Sequence, residues 1–137
     1  MVVEHLDNPQ SQFAEICRVL KPNGVFIFHT VNENGYFARM RKVVPNALVK
    51  KLTRLLDGRA ADDVFEVQYK ANREETIKPL AQKTNFTVEK IKLISSDAVF
   101  AQFPPLAIAE LFFIRLLMRH SLCRWRTNII VILKKNA

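Results

Sequence analysis

Glycine is nearly missing from this chain. There are three in 137 residues, Gly24, Gly35 and Gly58, which leaves no Gly-rich turn of the kind that cradles a phosphate. Cysteine is as scarce. Cys17 and Cys123 stand far apart, without metal-ligand spacing or a disulfide framework, so a reducing, cytoplasmic setting is expected. The longest apolar run, Phe103 to Met118, is broken by Glu110 and Arg115 and falls short of the ~20 residues that a membrane span needs. The opening Met1-Val2-Val3-Glu4-His5 has neither the basic start nor the long apolar core of a signal peptide. Acidic residues are outnumbered, 13 against 21 Lys and Arg, giving a net charge of +8. Such a surplus suits nucleic acid or an anionic membrane. The basic residues are spread along the chain among carboxylates, however, with no basic block interleaved with aromatics. No specific nucleic-acid binding is therefore expected. No internal repeat or low-complexity segment is visible.

What is present is organised around Val2 to Asn32. Val2 and Val3 are β-branched and read as the stub of a strand, with Glu4 and His5 just past its end. Asn8 suits an N-cap and Pro9 the first helical position. Phe13, Ile16, Cys17 and Leu20 form one apolar helix face. Cys17 on that face reads as core. Pro22-Asn23-Gly24 makes a turn that tolerates positive φ. Val25 to Val31 then reads as a strand buried on both faces. Strand, helix, strand implies a parallel pair with a right-handed crossover, and ligands of such sheets bind at the carboxyl ends of the strands. Glu4-His5 and His29-Thr30-Val31-Asn32 fall at those two ends.

The remainder supplies further elements for a single domain. Glu33 to Asp57 predicts a helix in two pieces divided by Pro45. Tyr36, Phe37, Met40, Val43 and Val44 form the apolar face of the first, and Leu48, Val49, Leu52, Leu55 and Leu56 that of the second. The basic residues on the other faces read as a solvated surface, or as an anion or headgroup contact. Asp57 to Lys70 is the most loop-like stretch. Asn72 and Glu75 have capping-box spacing, starting a helix from Arg73 to about Thr84 that buries Ile77, Leu80 and Ala81 and is kinked by Pro79. Asn85 suits a left-handed C-cap. Phe86 to Ser95 is a strand whose apolar residues change parity, which predicts a bulge. Phe103 to Met118 is apolar nearly all round, hence either buried and pocket-lining or docked on a membrane or partner. With the flanking Arg119, Arg124, Trp125 and Arg126 it makes an apolar, basic segment over 103–126. Asn128 to Lys135 closes the chain as a strand.

The segments VVEHLDNP and EICRVLKPNGVFIFHTVN resemble the second half of class I S-adenosylmethionine-dependent methyltransferases of the small-molecule type. DVFEVQYKAN resembles a segment that in one branch of that family lies over the acceptor pocket. Asn23 and Val31 replace a Gly and a Pro of the family pattern, and Glu66-Val67 and Gln68 replace its Pro-Thr and Tyr. The resemblance implies an α/β fold: the C-terminal half of a Rossmann-like sheet, mixed, in strand order four, five, seven, six, with the last strand antiparallel. The Gly-rich turn after the first strand and the acid that holds the ribose have no counterpart in residues 1–137. The expectation is therefore a C-terminal part, inactive by itself, whose cofactor-gripping N-terminal half comes from a larger protein or from a partner, or which works as a homo-oligomer.

The same resemblance assigns roles. Val3, Glu4 and Leu6 would face S-adenosylmethionine. His5, with Glu4, is the candidate base, since an imidazole titrates near neutral pH; both residues also fit purely structural roles. Thr30 and Asn32 match the family's Thr-x-Asn beneath the acceptor. His29 is a further candidate acceptor contact, or a core histidine. Tyr36 and Tyr69 are acceptor contacts or packing. A metal at Glu4 and His5 is disfavoured, because neighbouring strand residues point to opposite faces. The expected function is methyl transfer to oxygen or nitrogen of a small molecule. The alternative is a non-enzymatic module that docks a membrane or partner through 103–126. An uncovered sheet edge and face would make the isolated chain self-associate.

Overall fold

The computed structural model describes residues 2–44, 68–95, 100–101 and 103–136. The second helical piece after Pro45, the loop to Glu66-Val67 and the aromatic Phe65 lie outside those residues. Four helices and three strands are described: α1 (Pro9–Val19), β1 (Val25–Val31), α2 (Tyr36–Val43), α3 (Glu74–Lys83), β2 (Phe86–Ile94), α4 (Pro104–Leu117) and β3 (Asn128–Lys135). Short 3₁₀ turns span Val3–His5 and His120–Trp125.

The strands form one sheet in the order β1–β3–β2, with β3 antiparallel to both neighbours. That is the expected five, seven, six arrangement, last strand antiparallel. The architecture is mixed α/β and compatible with part of a methyltransferase fold. Among the described residues, however, no parallel pair exists, so the expected mixed sheet is not what forms. The expected fourth strand is also missing. Val2 is the cap of a 3₁₀ turn in which His5 N–H donates to the Val2 carbonyl at 3.0 Å. Two valines without a partner strand have no ladder to join, and a local turn satisfies their backbone instead.

One face of the sheet carries the core. Phe28, Phe86, Ile129, Val131 and Leu133 are buried against Phe13 and Cys17 of α1 and Ile77 and Ala81 of α3. The Phe13 ring meets Phe26 and Phe28 edge-on at 5.3 and 5.4 Å. The opposite face of β1 is open: Val25, Ile27 (61% exposed) and His29 point away from the helices. Burial on both faces, expected for Val25 to Val31, is thus corrected. Among the described helices, α1 and α3 pack on the Phe26–Phe28 side of the sheet, and period-2 alternation turns every second side chain outward. His29 is on the outer side, so it is not a core histidine.

Local punctuation follows the sequence closely. Asn8 Oδ1 accepts from Ser11 N–H at 3.2 Å, capping α1. Asn23 and Asn85 both sit at φ 61°, the left-handed region in which Asn is the best tolerated residue after Gly. The register of β2 slips between Val88 and Lys90, the bulge that its parity change predicts. Two helices depart from expectation. In α2 only Ala38 is buried, while Met40 and Val43 are exposed. Of the expected face, Tyr36, Phe37 and Val44 are half-buried, and Tyr36 meets Glu110, while the exposed Arg39 and Lys42 meet Trp125 and Glu33. In α4 the buried residues are Glu110 and Leu117, and most apolar side chains are exposed. The pocket-lining reading of 103–118 is therefore overturned.

Candidate functional site

The first 3₁₀ turn aims Glu4 inward. Its side chain is buried, and Oε2 accepts from Thr30 Oγ1 at 3.4 Å, the hydroxyl at the carboxyl end of β1. Thr30 Oγ1 in turn accepts from Asn72 Nδ2 at 2.7 Å, and Asn72 also donates to the Val31 carbonyl at 3.0 Å. The Glu4 carbonyl accepts from Gln68 N–H at 2.8 Å. Three segments distant in sequence, 3–5, 30–31 and 68–72, thereby meet through buried polar groups. Fully buried Asn72 keeps one atom, Oδ1, without a hydrogen-bond partner, which costs about 1–3 kcal/mol when nothing satisfies it.

His5 sits at the edge of this network. Its Nε2 is 3.9 Å from Glu4 Oε1 and its side chain is one-third exposed. The distance exceeds a hydrogen bond. Tyr69 follows Gln68 and adopts φ 53°. A bulky side chain there is held against its own preference, at roughly 1–3 kcal/mol. Such strain gathers at functional sites more often than elsewhere.

An apolar cleft of about 350 Å³ opens beside the network. Val2, Val3, Leu6, Gln12, Ile16, Phe26, Phe28 and His29 line it. It lies along β1, whose outer edge pairs with no strand among the described residues. Val3 and Leu6 thus share the cleft, with His29 in its lining, while Glu4 directs its carboxylate into the Thr30–Asn72 network.

The remaining sequence candidates are elsewhere. Asn32 is a strut: Nδ2 donates to the Arg124 and Arg126 carbonyls at 3.0 and 2.7 Å, and Oδ1 accepts from Asn34 N–H. Tyr36 joins α4, its hydroxyl donating to Glu110 Oε1 at 2.6 Å and its ring meeting Phe113 edge-on. Two groups escaped sequence reasoning. The spacing of Asn72 and Glu75 predicts Asn72 as the cap of α3, yet Arg73 is the cap residue, and its N–H donates to Thr76 Oγ1. Glu33 is clamped by Arg73 through two bonds of 2.6 Å and by Lys42 at 2.6 Å. The Arg73 guanidinium holds the Glu33 carboxyl below its usual range, aided by Lys42 and opposed by burial. Partners 40 residues apart leave no local signal.

Among the described residues, no three His, Cys, Asp or Glu side chains gather at metal-binding distance. S-adenosylmethionine has a sulfonium, a ribose and a charged amino-acid end. The cleft offers it apolar walls and no carboxylate, since Glu4 is engaged with Thr30. These residues by themselves do not complete a site for that cofactor.

The family model of a methyltransferase domain matches residues 1–28. No curated protein matches the chain. The matched residues are the 3₁₀ turn, α1, its closing turn and the first half of β1, the elements that carry Glu4, His5 and the cleft. This stretch is identified as similar to class I S-adenosylmethionine-dependent methyltransferases.

Proposed function

We propose that the chain forms the acceptor side of a methyltransferase that modifies oxygen or nitrogen of a small molecule in the cytoplasm. The observation that carries this reading is the Glu4–His5 pair: it lies within the methyltransferase-like residues 1–28 and flanks an apolar cleft. Members of the family generally draw the methyl group from S-adenosylmethionine, which would reach this site along Val3 and Leu6, with Glu4 between them held in the Thr30 network. Its ribose and amino-acid ends require residues other than those described, from an N-terminal half, a partner or a second copy.

In this reading His5 takes the proton that the acceptor loses on methylation, and the buried Glu4 carboxylate stabilises the imidazolium that results. Thr30 and Asn72 fix Glu4 from behind. His29 and Tyr69 flank the acceptor, while Asn32 and Tyr36 shape the loop after β1. The test uses native protein purified from its source, tritiated-methyl S-adenosylmethionine and a pooled metabolite fraction. Label should pass into a low-molecular-weight product, and His5→Ala should lower turnover ~10²–10⁴-fold, as loss of a general base does. Label that enters only macromolecules, or an unchanged rate with lowered stability, would overturn the assignment.

A further inference from the structure

The apolar helix α4 inverts the ordinary order of burial. Glu110 is 6% exposed, bonded to the Tyr36 hydroxyl and to Phe100 N–H, while Phe112 is 71% exposed. On a helix of 3.6 residues per turn, Ile108, Leu111, Phe112 and Leu116 fall within one outward arc, and all four are exposed. The anchor explains the orientation. Burying Glu110 against Tyr36, with Leu117 about two turns further on, commits that side of α4 inward and turns the apolar arc to the outside.

Charge decides what suits this arc. Arg115 lies inside it, and Arg119 and Arg124 follow at its C-terminal end; all three are exposed. The single carboxylate of residues 103–126 is the buried Glu110. The exposed charge of the segment is therefore of one sign only. A second copy of this face would set arginine against arginine, which disfavours self-pairing. An exposed apolar helical face with arginines among its hydrophobic residues matches the interface of an anionic bilayer. The apolar side chains enter the headgroup boundary, and each arginine extends its stem along them while its guanidinium reaches lipid phosphate. The helix spans 14 residues, and no described helix is long and apolar enough to cross a membrane, so α4 would lie in the plane of the surface.

We propose that α4, with Arg119 and Arg124, docks this protein on anionic phospholipid bilayers. The inference stands apart from the methyl-transfer reading, because it uses no residue of the Glu4–His5 site. Flotation of the chain on sucrose gradients tests it, with vesicles of phosphatidylcholine alone or with a third phosphatidylserine. Aggregated protein sinks in this assay and is not scored as bound. The chain should float with the anionic vesicles and lose that binding in high salt. The triple variant Arg115→Gln, Arg119→Gln, Arg124→Gln should bind on the order of 100-fold more weakly, about fivefold for each arginine. Leu111→Gln with Phe112→Gln should also abolish flotation, with an unchanged circular dichroism spectrum. Equal flotation with neutral vesicles, flotation unaffected by either set of substitutions, or none with any vesicle would overturn the proposal.

Discussion

Glu33 is where distant parts of the chain are tied by charge. Arg73 grips its carboxylate through two nitrogens and Lys42 adds a third contact. Because Arg73 lowers the folded-state value of Glu33 below the ordinary 4.5, the stabilisation is fully present above that value. It is lost as pH falls through the lower folded value. Glu33→Gln should therefore cost roughly 1–2 kcal/mol at pH 7, as expected for partly exposed charge-assisted bonds. In urea titrations the difference from the parent should vanish toward pH 2. A constant difference across that range would mean the side chain acts through packing. Gly35 makes a steric case nearby. A Cβ there would stand 2.7 Å from the Arg126 carbonyl oxygen and 3.1 Å from Thr127 Cα, both backbone atoms that cannot rotate aside. Gly35→Ala should destabilise by about 1–3 kcal/mol, the usual cost of overpacking, read by the same titration. Residue-scale features were legible where the cause is local. Asn23 and Asn85 announced their left-handed backbone, and Asn8 its cap. The role of Asn72 has no local signal, because its partners, Thr30 and Val31, lie some 40 residues away.

At the scale of elements, hydrophobic spacing identified the helices and strands but not always the side each would bury. The pattern of α1 and α3 pointed to their true inner faces, since Phe13, Cys17, Ile77 and Ala81 are all buried. The parity change in β2 announced its bulge. For α2 and α4 the pattern misled. Specific polar anchors, Tyr36 on Glu110 and Arg39 over Trp125 at 4.5 Å, outweigh a weak apolar stripe. The Val2–Val3 strand failed for a different reason: a strand exists only through a partner, which two residues cannot specify. α4 offers a direct test of its orientation. Leu117→Ala removes a side chain that is 1% exposed and should cost about 2–5 kcal/mol. Leu116→Ala, one residue away and exposed, should fall within ~0.5 kcal/mol of the parent. Comparable losses at both positions in urea unfolding would mean that the helix is rotated from the orientation described.

For the molecule as described, α1 and α3 cover one face of the sheet, and the outer edge of β1 is paired by no described strand. Val25 and Ile27 are exposed on the other face. Open edges and apolar faces recruit other chains, so the 137-residue chain should self-associate in dynamic light scattering. A stable, monodisperse 15.8 kDa species at high concentration would show that the edge is protected. The same layout bears on chemistry: the described residues bring Glu4 and His5 beside an apolar cleft, but not the polar groups that would hold S-adenosylmethionine. Calorimetric titration of the 137-residue chain with S-adenosylmethionine tests that division most directly. Binding should be absent or weaker than about 0.1 mM, a range in which few fixed polar contacts contribute. A one-to-one complex of micromolar affinity would contradict it, placing the whole cofactor site within these residues.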